Sequence, residues 1–319
     1  MEVVHERSWM HIFDELSDEK RARFAENGGT LARAWQRNFP RGGGILTNDE
    51  TRYALRRMLL SEFHELVDMH TMNGQCIRSG CRQIDHPTHH LTCNVHSGGW
   101  TKRHTAVLNC LHKEMVRVGM AKAIASKEVE IPGVHSTKLR ADIVATFSDG
   151  DEGEYVDVGI TALKGLKDGD VVWPTDMEVQ QAVDLEKAQP KEKPLFFWED
   201  HSKETPHPET VLFRKFRQLA NDKCAGAAIQ NMDRLKVKKY REEANVDVRP
   251  FILSAGGAVG YGASEILRSL TRSCGGGLRE KSEFRKELTG HLSAILVKWG
   301  FFLARYHLKA RCLVSGWEV

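Results

Sequence analysis

The chain has 319 residues, enough for one large domain or two modest ones with a sizeable core. Apolar residues make up 41% and charged residues 28%, the balance of a soluble globular protein, and no run of apolar residues is long enough to span a membrane. A net charge of only +3 does not mark a nucleic-acid binder, so any electrostatic footprint has to come from local patches.

Residues 1 to about 70 read as helical. Ser17 and Asp18 are cap candidates before a charged helix, Gly28-Gly29 and Pro40 through Gly44 break the chain, and Asn48-Asp49-Glu50 opens another helix with Tyr53, Leu55, Leu59 and Phe63 as its apolar stripe. From 71 to 100 the apolar period vanishes and Gly, Cys and His dominate. A helix returns near Thr101, with Val107, Leu111, Met115 and Val118 at spacings of three or four. Two alternating strands follow, Leu139 to Phe147 and Glu154 to Ile160, separated by the turn formers Ser148 to Asp151. The polar, Pro-bearing stretch from 164 to about 215 is expected to be an insertion, partly disordered or lid-like. A long helix is predicted over 220–244, and a third strand over Arg249 to Ser254. The Gly-rich turn Gly256 to Gly262 then leads into terminal helices broken at Gly275 to Gly277, with Leu292, Ile295, Leu296 and Trp299 as core. Gly256 to Gly262 lacks the spacing of a phosphate-binding loop and reads as a tight strand-to-helix turn.

Seven cysteines without an apolar leader argue against a disulfide framework and for reduced thiols or a metal site. Cys76, Cys81, His86, His89, His90 and Cys93 crowd into one short segment. Zinc needs about four soft or borderline ligands closed by local turns, and the best set is Cys76, Cys81, His89 and Cys93, with His86 and His90 as spares. Such a site would fold a segment that has no core of its own. The competing reading is three buried thiols among surface histidines. Arg78, Arg82, Lys102 and Arg103 surround the cluster, as a nucleic-acid contact or simply a solvated face. Cys110, Cys224, Cys274 and Cys312 lack ligand spacing and read as core or incidental thiols.

The period of two puts Arg140, Asp142, Val144 and Thr146 on one face of the first strand, and Tyr155, Asp157 and Gly159 on one face of the second. If the strands pair as a hairpin, both aspartates lie on the same side. Two converging carboxylates make a hard oxygen site suited to Mg²⁺, which can polarise a phosphate and acidify water. The reaction also wants a cation near the developing negative charge. Gly159 stands two residues after the second acid, so the cation has to come from elsewhere. The helix at 220–244 offers Lys236 and Tyr240, four apart on one face, above an apolar side of Ala228, Ile229, Met232 and Leu235. The competing reading is an exposed acidic hairpin beside a surface helix.

Several segments together resemble the restriction-like endonuclease region at the C-terminal end of reverse transcriptases from site-specific retrotransposons lacking long terminal repeats. They run in order from Ala32-Arg33-Ala34-Trp35 through Pro40 and Leu46 to Arg56. Next come His89-His90-Leu91-Thr92-Cys93 with Gly98-Gly99 and Arg103-His104, then Arg140-Ala141-Asp142, Asp157-Val158, Lys236 to Tyr240, and Pro250-Phe251 with Gly256-Gly257. The resemblance implies an α/β fold, a small mixed β-sheet flanked by helices (restriction-endonuclease-like). It also implies a helical region over 1–70, a zinc knuckle over 71–100, and a nuclease domain over 101–319 with the insertion at 164–215. Cleavage of target DNA follows from it, with Asp142 and Asp157 on magnesium, Lys236 and Tyr240 as catalytic companions, Arg103 and His104 at the start of the adjoining helix near DNA or the metal, and Arg140 near DNA. Zinc would be structural, DNA the partner with RNA second, the setting nuclear or cytoplasmic, and a reverse transcriptase module the neighbour in any longer polyprotein. The chain departs from the family in the wide Cys76-to-Cys81 gap, in the long insertion before Lys236, and in lacking a polymerase motif. It is therefore expected to be a fragment, a degenerate copy or a domesticated gene. The alternative, a binding adaptor or scaffold protein that kept the fold without the activity, stays open.

Overall fold

Local sequence sets the helix starts. In the computed structural model, which describes residues 14–26, 31–32, 34–37, 46–58, 76, 81, 89–91, 93, 97–121, 127–131, 139–147, 153–162, 173–188 and 208–315, Ser17 opens α1 (Asp18–Glu26) by accepting the Arg21 N–H at 2.8 Å. A short α2 (Ala34–Arg37) precedes α3 (Asn48–Met58). Thr47 and Glu50 close a reciprocal capping box on α3: Thr47 N–H donates to Glu50 Oε2 at 2.7 Å, and Glu50 N–H to Thr47 Oγ1 at 3.2 Å. Thr175 and Glu178 repeat the device at 2.7 and 3.3 Å on α5 (Asp176–Ala188), which lies inside the stretch expected to be an insertion, partly disordered or lid-like. Between these come α4 (Ser97–Arg117) and the strands β1 (Lys127–Glu130), β2 (Arg140–Ala145) and β3 (Glu154–Thr161).

The long helix α6 (Pro208–Ala244) begins twelve residues earlier than the sequence suggests, because Pro208 starts it rather than breaking it. Asn245 ends it in the left-handed region, φ 51°. Strand β4 (Val248–Ser254) follows, then α7 (Tyr261–Ser273) and α8 (Leu278–Ser315), the last pair split at the expected glycines, where Gly276 has φ +97°. Gly28-Gly29, Leu59, Phe63, His86, the turn at 148–151 and the stretch between α5 and α6 lie outside the described residues, as do the side chains of Cys224 and Cys312.

The sheet is mixed, in the order β1-β2-β3-β4. β1, β2 and β3 run antiparallel, and β3 pairs with β4 in parallel, a connection that needs a crossover and uses α5 and α6 for it. Being central, β3 is buried over four consecutive residues, Val156 to Gly159, where a half-covered strand would alternate. One sheet face packs Ile143, Val156, Val158, Phe251 and Leu253 against Val107, Leu111 and Met115 of α4, with α7 and α8 completing the layer. The opposite face takes α6, through Ile229 on Ile252 and Tyr240 on Ala141 and Val248. The protein is thus a mixed α/β fold with helices on both sides of a four-stranded sheet. Leu235, expected on the apolar side of α6, is 59% exposed, and Leu55 of α3 is 41% exposed. Both helices turn their neighbours inward instead.

The N-terminal helices are fastened to the core by polar ties. Buried Glu26 accepts the Gly256 N–H at 2.9 Å and pairs with Arg57 Nη2 at 3.3 Å, while Arg57 Nη1 donates to the Ala255 carbonyl at 2.7 Å. A Cβ on Gly256 would land on the Glu26 carboxyl, so only glycine fits there. Ser293 of α8 adds a second tie, donating to Leu31 O at 2.5 Å and accepting the Trp35 N–H at 3.1 Å. Among the described residues, no helix is long and apolar enough to cross a membrane.

Candidate functional site

The two aspartates meet through strand register. Pairing of β2 with β3 runs Ala145↔Glu154, Val144↔Tyr155, Ile143↔Val156, so one further step sets Asp142 across from Asp157. There the Val158 N–H donates to Asp142 Oδ2 at 2.7 Å, so a side chain takes a main-chain donor beside the pair. His104 of α4 reaches the same carboxylate, its Nε2 lying 3.2 Å from Asp142 Oδ2 and 3.2 Å from the Val158 carbonyl. Two acceptors on one nitrogen fix Nε2 as the protonated one. On the other side, Lys236 of α6 places Nζ 2.7 Å from Asp157 Oδ1.

Gly159 explains how a lysine from a distant helix gets in. A Cβ there would stand 2.9 Å from Lys236 Cε, 2.9 Å from Met232 Sδ and 2.6 Å from Ile252 Cδ1. The lysine stem runs through the space that a side chain on β3 would fill.

Burial sharpens the electrostatics. Asp157 is 8% exposed, and its carboxyl is pushed up to about 6. Burial is the main cause, opposed by the Lys236 charge, and Asp142 raises it further. Burial also works against ionising Asp142, but the hydrogen bond from His104 and the one shared with Asp157 prevail and hold it below its ordinary value. The His104 imidazole is raised, first by its hydrogen bond to Asp142. The two buried carboxyls interact with each other, so Asp157 is reluctant to ionise even with Lys236 and His104 beside the pair.

The remaining predicted residues fall in other surroundings. Tyr240 is buried one turn beyond Lys236 and donates to the Arg140 carbonyl at 2.6 Å, which ties α6 to β2; burial raises its phenol. Arg140 itself lies at the surface, with Nη2 2.8 Å from Glu130 on β1. Arg103 turns the other way from His104 and is 4% exposed, its Nε and Nη1 without hydrogen-bond partners among the described residues. Burial lowers its guanidinium to about 10.

Cys76, Cys81, His89 and Cys93 converge, all buried, with one donor atom from each within 4.8 Å of the others. Cys76 and Cys93 sulfurs are 4.0 Å apart, and Cys81 Sγ is 3.4 Å from His89 Nε2. Thiolates around a tetrahedral zinc stand about 3.8 Å apart, as Zn–S bonds of about 2.3 Å require, so this cluster can hold a metal ion such as zinc. The donor groups are free thiols, not disulfides. His90 stands outside the set: its Nε2 is 3.0 Å from the Tyr53 hydroxyl of α3. Cys110, read as a core or incidental thiol, is half-buried against the core, and burial pushes its thiol up to about 12.

Sequence reasoning did not find the Glu26–Arg57–Gly256 tie. His104, expected near DNA or the metal, contacts Asp142 directly. No protein-family model, no curated protein and no solved structure matches this chain.

Proposed function

We propose that the protein is a metal-dependent DNA endonuclease of restriction-enzyme type, related to the nuclease region of site-specific retrotransposon reverse transcriptases. The observation that carries this reading is the convergence of Asp142 and Asp157 from adjacent strands, with the Lys236 ammonium at 2.7 Å. An antiparallel strand pair bearing the acids, a parallel fourth strand and flanking helices support a restriction-endonuclease-like fold.

Asp142 and Asp157 would hold the divalent cation, and oxygen ligands favour magnesium. When bound, it supplies polarisation of a phosphate oxygen and a more acidic water. The chain's own residues prepare that site. His104 and the Val158 N–H orient Asp142 and keep it ionised. Lys236 brings a fixed positive charge to the side where negative charge develops. Tyr240 acts as a positioning residue that locks the helix carrying Lys236 onto β2. The zinc knuckle, with Cys76, Cys81, His89 and Cys93 as ligands, is structural and holds the start of α4 in place. The partner is DNA, with RNA second, inside the nucleus or cytoplasm, beside a reverse transcriptase module where the chain is part of a polyprotein.

Nicking of supercoiled plasmid in Mg²⁺ tests the assignment. Asp142→Ala should abolish nicking while far-UV circular dichroism stays unchanged; wild-type rates in that variant would refute the site. The second reading, a binding adaptor or scaffold without activity, is favoured by one observation: Lys236 already neutralises Asp157 where a cation would sit. DNA binding that never leads to cleavage across several divalent ions would select it.

A further inference from the structure

Trp299, Phe302 and Tyr306 follow one another on α8 at steps of three and four. With Lys298 and Arg305 they fall within about 120° of the helix circumference at 3.6 residues per turn. Core-facing Leu296 and Leu303 are buried, yet Phe302 is 44% and Tyr306 48% exposed. Their rings are nearly parallel, 10° between planes with centroids 6.2 Å apart, and Trp299 meets Phe302 edge-on at 5.2 Å. Burying such rings is favourable, so leaving them in water calls for a reason.

Charge says what fits them. From 288 to 315 the chain contains no Asp or Glu, while Lys298, Arg305, Lys309 and Arg311 are all cationic. The start of α4 adds to this field. A Cβ on Gly99 would stand 2.6 Å from Leu303 Cδ2 and 3.9 Å from Phe302 Cε1, so Gly99 lets the first turn of α4 close on the aromatic stripe. That turn has no acid, residues 97–113 have none at all, and Lys102 is exposed. The positive end of a helix and cations on both sides thus frame flat aromatic faces.

We propose that this face of α8, with the first turn of α4, binds single-stranded nucleic acid, its bases stacking on Phe302 and Tyr306 and its phosphates meeting Lys298, Arg305 and Lys102. Aromatic faces set in a positive groove are how single strands are held without sequence preference. A second copy of this chain fits worse, because a self-complementary contact would bring the same cations together. The surface extends the nuclease reading. His104, which contacts Asp142, lies five residues beyond Gly99, about 7.5 Å along α4, so a strand on the stripe leads toward the paired acids.

The test is fluorescence anisotropy of fluorescein-labelled oligothymidylate, and of oligouridylate in a second arm, with the full zinc-loaded chain in magnesium-free buffer. The wild type should bind with an affinity that falls as salt rises, and Phe302→Ala with Tyr306→Ala should weaken it at least about tenfold. Arg305→Gln should lower the slope of log affinity on log salt by about 0.7. Circular dichroism and zinc content should be unchanged in all variants, and Asp142→Ala should bind as the wild type does. Tighter binding in one arm identifies the sugar the surface takes. The proposal is overturned if the double variant binds within about twofold of wild type. It is equally overturned if the substitutions dissolve a dimer while oligonucleotide affinity stays the same. Loss of binding in the stripe variants, in a protein that never nicks DNA, would retain this surface and remove the cleavage reading.

Discussion

Replacing Gly159 with alanine probes the point where β3 makes room for α6. The new methyl would meet three side chains inside 3.0 Å: Ile252 Cδ1 at 2.6 Å, Lys236 Cε at 2.9 Å and Met232 Sδ at 2.9 Å. Each is the end of a chain that can move a little, so the strain is that of an overpacked core, about 1–3 kcal/mol. Alanine also narrows the unfolded ensemble, worth roughly 0.4–1 kcal/mol in the other direction. The net expectation is a loss of about 0.5–2 kcal/mol, read as a lower urea midpoint at constant slope. The geometry predicts a second effect: Lys236 must shift, and its ammonium leaves Asp157. Nicking in Mg²⁺ should fall by more than the stability loss explains. Gly98→Ala serves as the comparison, because nothing lies within 4 Å of a Cβ there and helical glycine gives way to alanine with a gain of about 0.5–1 kcal/mol. A Gly159→Ala protein as stable and as active as wild type would refute the packing argument.

The remaining expectations concern the acids, the N-terminal tie and the metal. Because the folded Asp157 carboxyl is raised to about 6 from its ordinary 3.8, the folded state holds the extra proton. Its favourable contribution is complete below the unfolded value and disappears as pH rises through the folded one. Metal-free wild type should therefore lose stability between about pH 4 and 6 relative to Asp157→Asn, by up to a few kcal/mol in urea titrations; parallel pH profiles would contradict this. Glu26→Ala leaves the Arg57 guanidinium and the Gly256 N–H without their acceptor and should cost about 3–5 kcal/mol, with Glu26→Gln milder; a change below 1 kcal/mol would remove the tie from the account of stability. Cys81→Ser, or a strong chelator, should abolish metal content by elemental analysis and lower the melting temperature. Full metal content in Cys81→Ser would exclude that residue as a ligand.

What the sequence discloses depends on how local the cause is. Asp142 and Asp157 are visible because each is an acid in mid-strand, and alternation assigns the face without knowledge of the rest of the fold. The Cys76 to Cys93 cluster is visible for the same reason, since its ligands lie close along the chain. Lys236 is readable as a partner of Tyr240 on one helix face, but the passage above Gly159 depends on α6 crossing β3. Strand β1, with the sequence Lys-Glu-Val-Glu, carries almost no apolar signal because it lies at the sheet edge. The prolines conceal α5 and the first turns of α6, although the Thr175–Glu178 capping box marked the start of α5. Arg103 shows the limit most plainly. One residue away from His104 means about 100° around a helix. Only the packing of α4 against its neighbours decides that His104 looks at the acids while Arg103 goes inside.

The Glu26–Arg57–Gly256 connection bears on how this protein can be trimmed. A shortened version beginning at α4 would keep every strand and both acids, and a design guided by chain position alone would choose it. It would also strip the acceptor from the backbone at Gly256 and uncover the end of β4, next to the strand that carries Asp157. Such a truncation is expected to be poorly soluble, whereas a boundary placed before Asp18 keeps the clasp and gives a protein fit for crystallisation trials.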